Sequence, residues 1–352
     1  MKEDPLITVD DWDWCIDDPS RLEPWFSIRN DAEEKFLLYR DGVSAVFKTS
    51  DASGRSYYVR HDVPDSLAGH VKALFGSRAK DLYDASGILA DHKIPCVQYP
   101  GWGKCGTESM ILSEELPDAV TALEYWFRLV PHNHVLRLEF LSKLADLIGL
   151  LCSNALALRE FSLRNILVRG NGSEMLVVDV SSVEERETLS REEKLVLLRP
   201  FAEMRGELSA DDATVAILDS GLAADSQEAS ELWDEAVDNL EEYINNDLWP
   251  QVEETILAGE STPYCRIVPL ENGGVLHVRN TIWNEELPVP DDTNSYAEEL
   301  PGEDASKVWL NGIKALLARD HLQKLPLSWE HYEDDRKDVI RYEAESVAGL
   351  EE

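Results

Sequence analysis

Between residues 33 and 62, three runs of strand-forming residues follow one another across turns too short to hold a helix: "KFLLYRD", "SAVFKTS" and "SYYVRH". The first two flank Gly42, and "DASGR" separates the second from the third. Strands joined this tightly pair antiparallel, because a parallel neighbour needs a crossover of about a dozen residues or more. The fold therefore starts as an antiparallel meander. Helical spacing follows over residues 65–89, broken near Gly76, and "IPCVQYPGW" and "SMILSEELP" predict further short strands. In "VLRLEFLSKLADLIGLLC", Leu138, Leu141, Leu144, Leu147, Ile148 and Leu151 recur at helical spacing and predict an amphipathic core helix. A strand, "MLVVDV", comes next, and "SREEKLVLLRPFAEM" opens with Ser190 and Glu193 placed as a capping box. "ELWDEAVDNLEEYI" predicts one more helix.

Strands first and helices later, with one strand–loop–strand between them, predict a two-lobed α+β protein. We read residues 1–32, rich in Trp, Asp and Pro, as an arm lying on the first lobe. Residues 33–117 form a small antiparallel sheet lobe and residues 118–245 a helical lobe. Residues 246–352 form an acidic C-terminal extension. Within the extension, "CRIVPLENGGVLHVRN" predicts a hairpin on a Gly-Gly turn. "PVPDDTNSYAEELPGED" has the composition of a linker, "ASKVWLNGIKALLA" predicts a helix, and the charged tail from Tyr332 is helical or frayed.

With 69 acidic against 33 basic residues, the chain carries a net charge of -36. Nucleic-acid phosphates and anionic membrane surfaces repel such a chain. The charge keeps it in solution, and the acidic extension is a candidate docking surface for a protein partner. No apolar run reaches the roughly 18 residues of a membrane span, so no transmembrane segment is expected. The start, "MKEDPLITVDDWDW", lacks the basic and apolar regions of a signal peptide. Five scattered cysteines without a CxxC pair read as reduced thiols. These features together place the chain in the cytoplasm.

Two patterns imitate sites. "GWGKCG", residues 101–106, spells G-x-G-x-x-G, but no long strand precedes it and no helix follows, so we read it as a turn. "HNH", residues 132–134, lies beside Pro131 with no third ligand nearby in sequence, and reads as a solvated loop.

The stretch that carries chemistry is "ALREFSLRNILV", residues 157–168, with "LVVDVSS" from residue 176. Phosphoryl transfer needs a cation near the phosphates, an acceptor for the hydroxyl proton, and oxygen ligands for Mg²⁺. Asn165 and Asp179 have the types and order of two Mg²⁺ ligands, and Glu160 stands where the base belongs. A carboxylate ending "MLVV" is expected to be partly buried and to need a partner or metal.

Over residues 36–245 the chain resembles the bacterial lipopolysaccharide kinases (Kdo and heptose kinases), a branch of the protein-kinase-like fold. "GRSYYVRH" is similar to the family's third strand, and "GSRAKDLYDASGILADHKIPCV" to its second-helix block. "SMILSEELPDAVTALEYW" resembles its hinge, "LREFSLRNIL" and "LVVDVSS" its catalytic and metal positions, and "LSREEKLVLLRPFAEMRGELSADD" the helices that follow. The resemblance implies a kinase-like fold binding ATP and Mg²⁺, with a sugar or glycolipid hydroxyl as phosphoryl acceptor. It further implies that Glu160 accepts the proton, that Asn165 and Asp179 hold Mg²⁺, and that Arg60 contacts phosphate. Backbone groups of Glu115 and Leu116 would meet adenine, and Gly42 with the strand after it would cover the nucleotide.

The departures define an alternative. Arg60 replaces the family's lysine, Leu82 falls where a helix glutamate anchors that cation, Leu158 replaces the loop histidine, and Glu160 is a methylene longer than aspartate. A pseudokinase, with or without nucleotide, is therefore the competing reading. An acid from the second helix meeting Arg60 would favour the enzyme; Leu82 facing Arg60 with no carboxylate in reach would favour the scaffold.

Overall fold

A computed structural model describes residues 6–16, 18–22, 25, 37–41, 44–64, 70, 73, 76–130, 133–170, 172–270, 274–281, 285–290, 295–319, 325–332 and 337–343. Gly42 and most of residues 65–75 lie outside these, as do Pro131, His132 and the centre of the predicted Gly-Gly turn. The chain is a mixed α/β protein of antiparallel sheets and helices. It divides into two compact units, residues 1–122 with 135–197, and residues 123–134 with 198–352.

The first unit is built on a seven-stranded sheet. Its strands are β1 (Leu6–Val9), β2 (Trp12–Ile16), β3 (Leu37–Asp41), β4 (Ser44–Ser50), β5 (Ser56–Asp62), β6 (Gly101–Cys105) and β7 (Glu108–Glu114). They run in the order β1-β2-β6-β7-β5-β4-β3, every neighbour antiparallel. The predicted meander is thus one half of the sheet. The other half begins with the amino-terminal arm, which joins the sheet through β2 against β6.

Helix α1 (Arg78–Asp91) starts on Ser77, whose side chain accepts from the Lys80 amide, and buries Ala79, Leu82, Ala85 and Leu89. Leu82 is fully buried among Cys15, Ala79, Trp102 and Ile111. On the other sheet face Trp14 and Trp25 meet edge to face at 5.0 Å, packed with Phe47, Val59 and Leu112.

"GWGKCG" is a strand and not the turn expected. β6 covers Gly101–Cys105, and only Gly106, at φ +59°, makes the turn into β7. Gly103 pairs with Trp14, and a Cβ there would stand 2.6 Å from two Trp14 ring atoms. The glycine is needed so that a buried indole can lie on the backbone, which has nothing to do with phosphate.

After β8 (Val120–Thr121), the core helix α2 spans His134–Ser153, so His134 opens a helix and not a loop. β9 (Leu156–Leu158) pairs with β12 (Val183–Glu185). Between them β10 (Ile166–Arg169) and β11 (Glu174–Val177) form a hairpin, with β8 on the outer side of β10. α3 (Arg191–Ala202) has the predicted capping box: Ser190 Oγ accepts from the Glu193 amide at 3.3 Å, and the Glu193 carboxylate accepts from the Ser190 amide at 2.8 Å.

The second unit carries α4 (Ala210–Asp219), α5 (Ser226–Tyr243) and α6 (Trp249–Leu257). A sheet follows, of β13 (Cys265–Pro269), β14 (Val275–Arg279), β15 (Ser295–Leu300), β16 (Ser328–His331) and β17 (Asp338–Glu343), with α7 (Gly302–Ala318) inserted. Its order is β13-β14-β16-β17-β15. The "linker" therefore contributes a strand, and so does the tail read as helical or frayed. β15 is an edge strand whose exposed Glu298 and Glu299 suit an unpaired sheet margin. Its tie to β17 includes the stacked rings of Tyr296 and Tyr342 at 5.1 Å. No described helix is long and apolar enough to cross a membrane.

Candidate active site

Every residue of the candidate site lies in the first unit. The β10–β11 hairpin sets its base. Ile166 opposes Val177, and the Val178 amide donates to the Asn165 carbonyl at 2.8 Å, so Asn165 and Asp179 leave the same open end of the hairpin. Asn165 closes a short 3-10 turn over Leu163–Asn165, capped by Ser162. Ser162 Oγ donates to Asn165 Oδ1 at 2.8 Å, which fixes the amide while leaving its oxygen a second lone pair.

Asp179 has φ +59°, a left-handed backbone that a non-glycine residue adopts at some strain and that is common where function over-determines the geometry. Its amide donates to the Tyr99 hydroxyl at 3.3 Å. Burial, and next the Asp179 charge, push the Tyr99 phenol well above its usual range. The Asp179 side chain is 50% exposed, more open than the end of an apolar strand suggests. The left-handed turn explains this, since it swings the carboxylate out of the strand's own packing. What it meets is Arg60, with Nη1 3.6 Å from Oδ2.

Arg60 stands near the end of β5 with its guanidinium held by the sheet. Nε donates to Asp62 Oδ1 at 3.0 Å and Nη2 to Ser44 Oγ at 3.0 Å. Arg60, Asp179, Arg164, Tyr58 and Leu116 line one cleft of about 340 Å³, with Val46 and Leu167 on its walls. A second cavity of about 430 Å³ holds Glu160 together with Ser44, Asp62, Asp81 and Ser181. A third cavity, about 790 Å³, lies along α1 and residues 96–100 and is lined by neither Arg60 nor Asp179.

The structure thus brings Arg60 to Asp179, and Asn165 to Asp179 through the hairpin, while Glu160 opens into the neighbouring cavity. At the end of β7, Glu114 and the nearby Leu116 line the cleft. The Glu115 amide donates to the Ser56 carbonyl at 2.9 Å, and its side chain turns to Lys48 at 2.6 Å and Tyr58 at 3.1 Å. The Lys48 hydrogen bond holds the Glu115 carboxyl below its usual range. Leu82 stays in the core, and Asp84 pairs with Lys80 on its own helix. Arg159 points to Glu184 at 3.4 Å.

Asp62, Ser44 and Tyr99 escaped the sequence reading. Asp62 was within reach, because residues i and i+2 of a strand share a face and "RHD" puts a carboxylate two places after the arginine. The Tyr99 contact joins residues 80 apart in the chain and leaves no local pattern.

Asn165 and Asp179 offer hard oxygen donors of the kind that suit Mg²⁺. Among the described residues no three His, Cys, Asp or Glu side chains gather into a metal-binding group. Mg²⁺ is commonly held by one or two carboxylates plus substrate phosphates and water, so this donor set fits a nucleotide-borne ion.

No family model matches the chain, and no curated protein sequence matches it. Among solved structures it is similar to one described as WaaP in complex with acyl carrier protein. The two are 14% identical with a TM-score of 0.46, and the match covers 64% of this chain and 98% of that one.

Proposed function

We propose that the protein is a kinase-like phosphotransferase of the lipopolysaccharide-kinase type, passing the γ-phosphoryl of ATP to a sugar or glycolipid hydroxyl. One observation carries the reading: the arginine of the third meander strand meets, at 3.6 Å, the carboxylate that shares a hairpin end with Asn165. Arg60 and Asp179 lie about 120 positions apart in sequence, yet both line one cleft.

In this reading Asn165 and Asp179 hold Mg²⁺, which when bound neutralises phosphate charge. Arg60 contacts the phosphates, the cleft beside Leu116 takes the base, and Glu160 accepts the proton of the acceptor hydroxyl. The cavity that Glu160 lines would admit that acceptor. The pseudokinase reading has its own support, since a direct Arg60–Asp179 ion pair can persist as a structural contact with no phosphate between them.

Thermal unfolding with and without ATP and Mg²⁺ tests the site. Nucleotide at about 100 times its dissociation constant should add roughly 2.7 kcal/mol to stability. The gain should require Mg²⁺ and vanish in Asp179→Ala. A native protein that gains nothing at millimolar Mg-ATP sinks the proposal.

Phosphoryl transfer by the wild type separates the two readings, and Glu160→Gln then tests the base. An enzyme should keep the Mg-ATP stabilisation and lose roughly a hundredfold or more in phosphoryl transfer, the usual contribution of a positioned base. Turnover unchanged by Glu160→Gln would remove that residue from the mechanism.

A further inference from the structure

We infer that Asp62 is the positioning residue for Arg60, doing from within the sheet what the helix position occupied by Leu82 does not do. This rests on the reading of Arg60 as a phosphate contact.

The two residues are i and i+2 on β5, so both side chains rise from one sheet face. Both are largely buried, at 15% and 14% side-chain exposure, which leaves little water to screen the pair. Across the ladder Asp62 pairs with Ser44. The Ser44 hydroxyl donates to Asp62 Oδ1 and accepts from Arg60 Nη2. Asp62 Oδ1 also accepts from Arg60 Nε at 3.0 Å, so carboxylate, hydroxyl and guanidinium close a ring. Two nitrogens of the guanidinium are fixed by the sheet, and the third, Nη1, points to Asp179.

The arrangement accounts for arginine where a lysine is expected. A lysine gathers its three donors on one nitrogen and would have to crowd Asp62, Ser44 and Asp179 around a single point. The fork of arginine reaches all three at once. Glutamate on α1 is then unnecessary, and Leu82 is free to fill the core against Trp102 and Ile111. The other Asp62 oxygen, Oδ2, is buried with no hydrogen-bond partner among the described residues, so the hold falls on Oδ1.

The test is a double-mutant cycle on Mg-ATP affinity, by calorimetric titration of the full chain as wild type, Asp62→Asn, Arg60→Ala and the double variant. Asp62→Asn keeps the shape and an acceptor oxygen, so the fold survives while the charge is lost. It should weaken binding roughly tenfold or more, the range for a hydrogen bond to a charged group. In the Arg60→Ala background the same change should cost nothing or improve affinity, because an unpaired carboxylate near the phosphates repels them.

A general structural role for Asp62 predicts equal losses in both backgrounds, and that result overturns the inference. So does Asp62→Asn binding as tightly as wild type. A wild type that binds no Mg-ATP is a different failure: it removes the nucleotide site itself, and this inference with it.

Discussion

Trp14→Ala should destabilise the first unit by about 3–5 kcal/mol, as expected for truncating a large buried aromatic. The indole is fully buried, packed against Trp25 and stacked with Trp12 at 5.8 Å. Gly103→Ala should by itself lose about 1–3 kcal/mol, because its new Cβ enters the space that the indole fills. Combined, the two should not add. With the indole gone the Cβ of residue 103 has room, and alanine also restricts the unfolded chain, worth roughly 0.4–1 kcal/mol. The double variant should therefore be as stable as Trp14→Ala or slightly better. Urea unfolding of the four proteins measures all of this. A harmless Gly103→Ala would show that the glycine is not there to seat Trp14. The variants also bear on function: if "GWGKCG" cradled phosphate, Gly103→Ala would weaken Mg-ATP binding at unchanged stability.

The strands of the meander were legible because each carries its own alternation of apolar and polar residues and is bounded by turn-forming ones. The capping box of α3 was legible for a similar reason, since both partners lie within one turn of each other. β6 was not. Its glycines break the alternation, and its pairing is shared between its neighbour β7 and β2, which arrives from some 90 residues earlier and sets Trp14 on Gly103. β15 is not legible because its sequence is acidic and poor in strand formers; β17 holds Val339, Ile340 and Tyr342, but charged residues interleave them, and pairing of the two strands with each other supplies what the local pattern does not.

In the candidate site, residue types and order marked Asn165 and Asp179, and the hairpin register explains why order sufficed: two strands of equal length return the chain to its starting point. The exposure of Asp179 is not legible in the sequence, because a single left-handed residue decides it. The resemblance places the partner of Arg60 on the helix, whereas Asp62 offers the same charge on the same strand.

Acidification should destabilise the second unit through His277. This imidazole is buried between the sheet and α7, stacked on Trp329 at 4.5 Å and 6.2 Å from the Trp309 ring, and its Nδ1 has no hydrogen-bond partner among the described residues. Burial, and next the nearby His331, push its pKa down to about 4, against a smaller upward pull from Asp338. Asp338 is itself buried, accepting from the Trp329 indole at 2.8 Å and the Tyr332 amide at 3.2 Å.

The folded value lies below the unfolded one of about 6.5, so between those pH values only the unfolded chain takes up the proton. Stability from neutral His277 is complete above pH 6.5 and is lost as pH falls toward 4, at up to about 1.4 kcal/mol per unit and about 3 kcal/mol in all. The sequence pI of about 4.5 makes pH 5 a practical lower limit in solution. From pH 7.5 to 5 the wild type should lose about 2 kcal/mol more than His277→Phe, which keeps a ring against Trp329 and cannot be protonated. Carboxylates common to both proteins cancel in that difference. Parallel pH curves for the two would mean that His277 is protonated in the fold as readily as outside it, and that its burial carries no charge penalty.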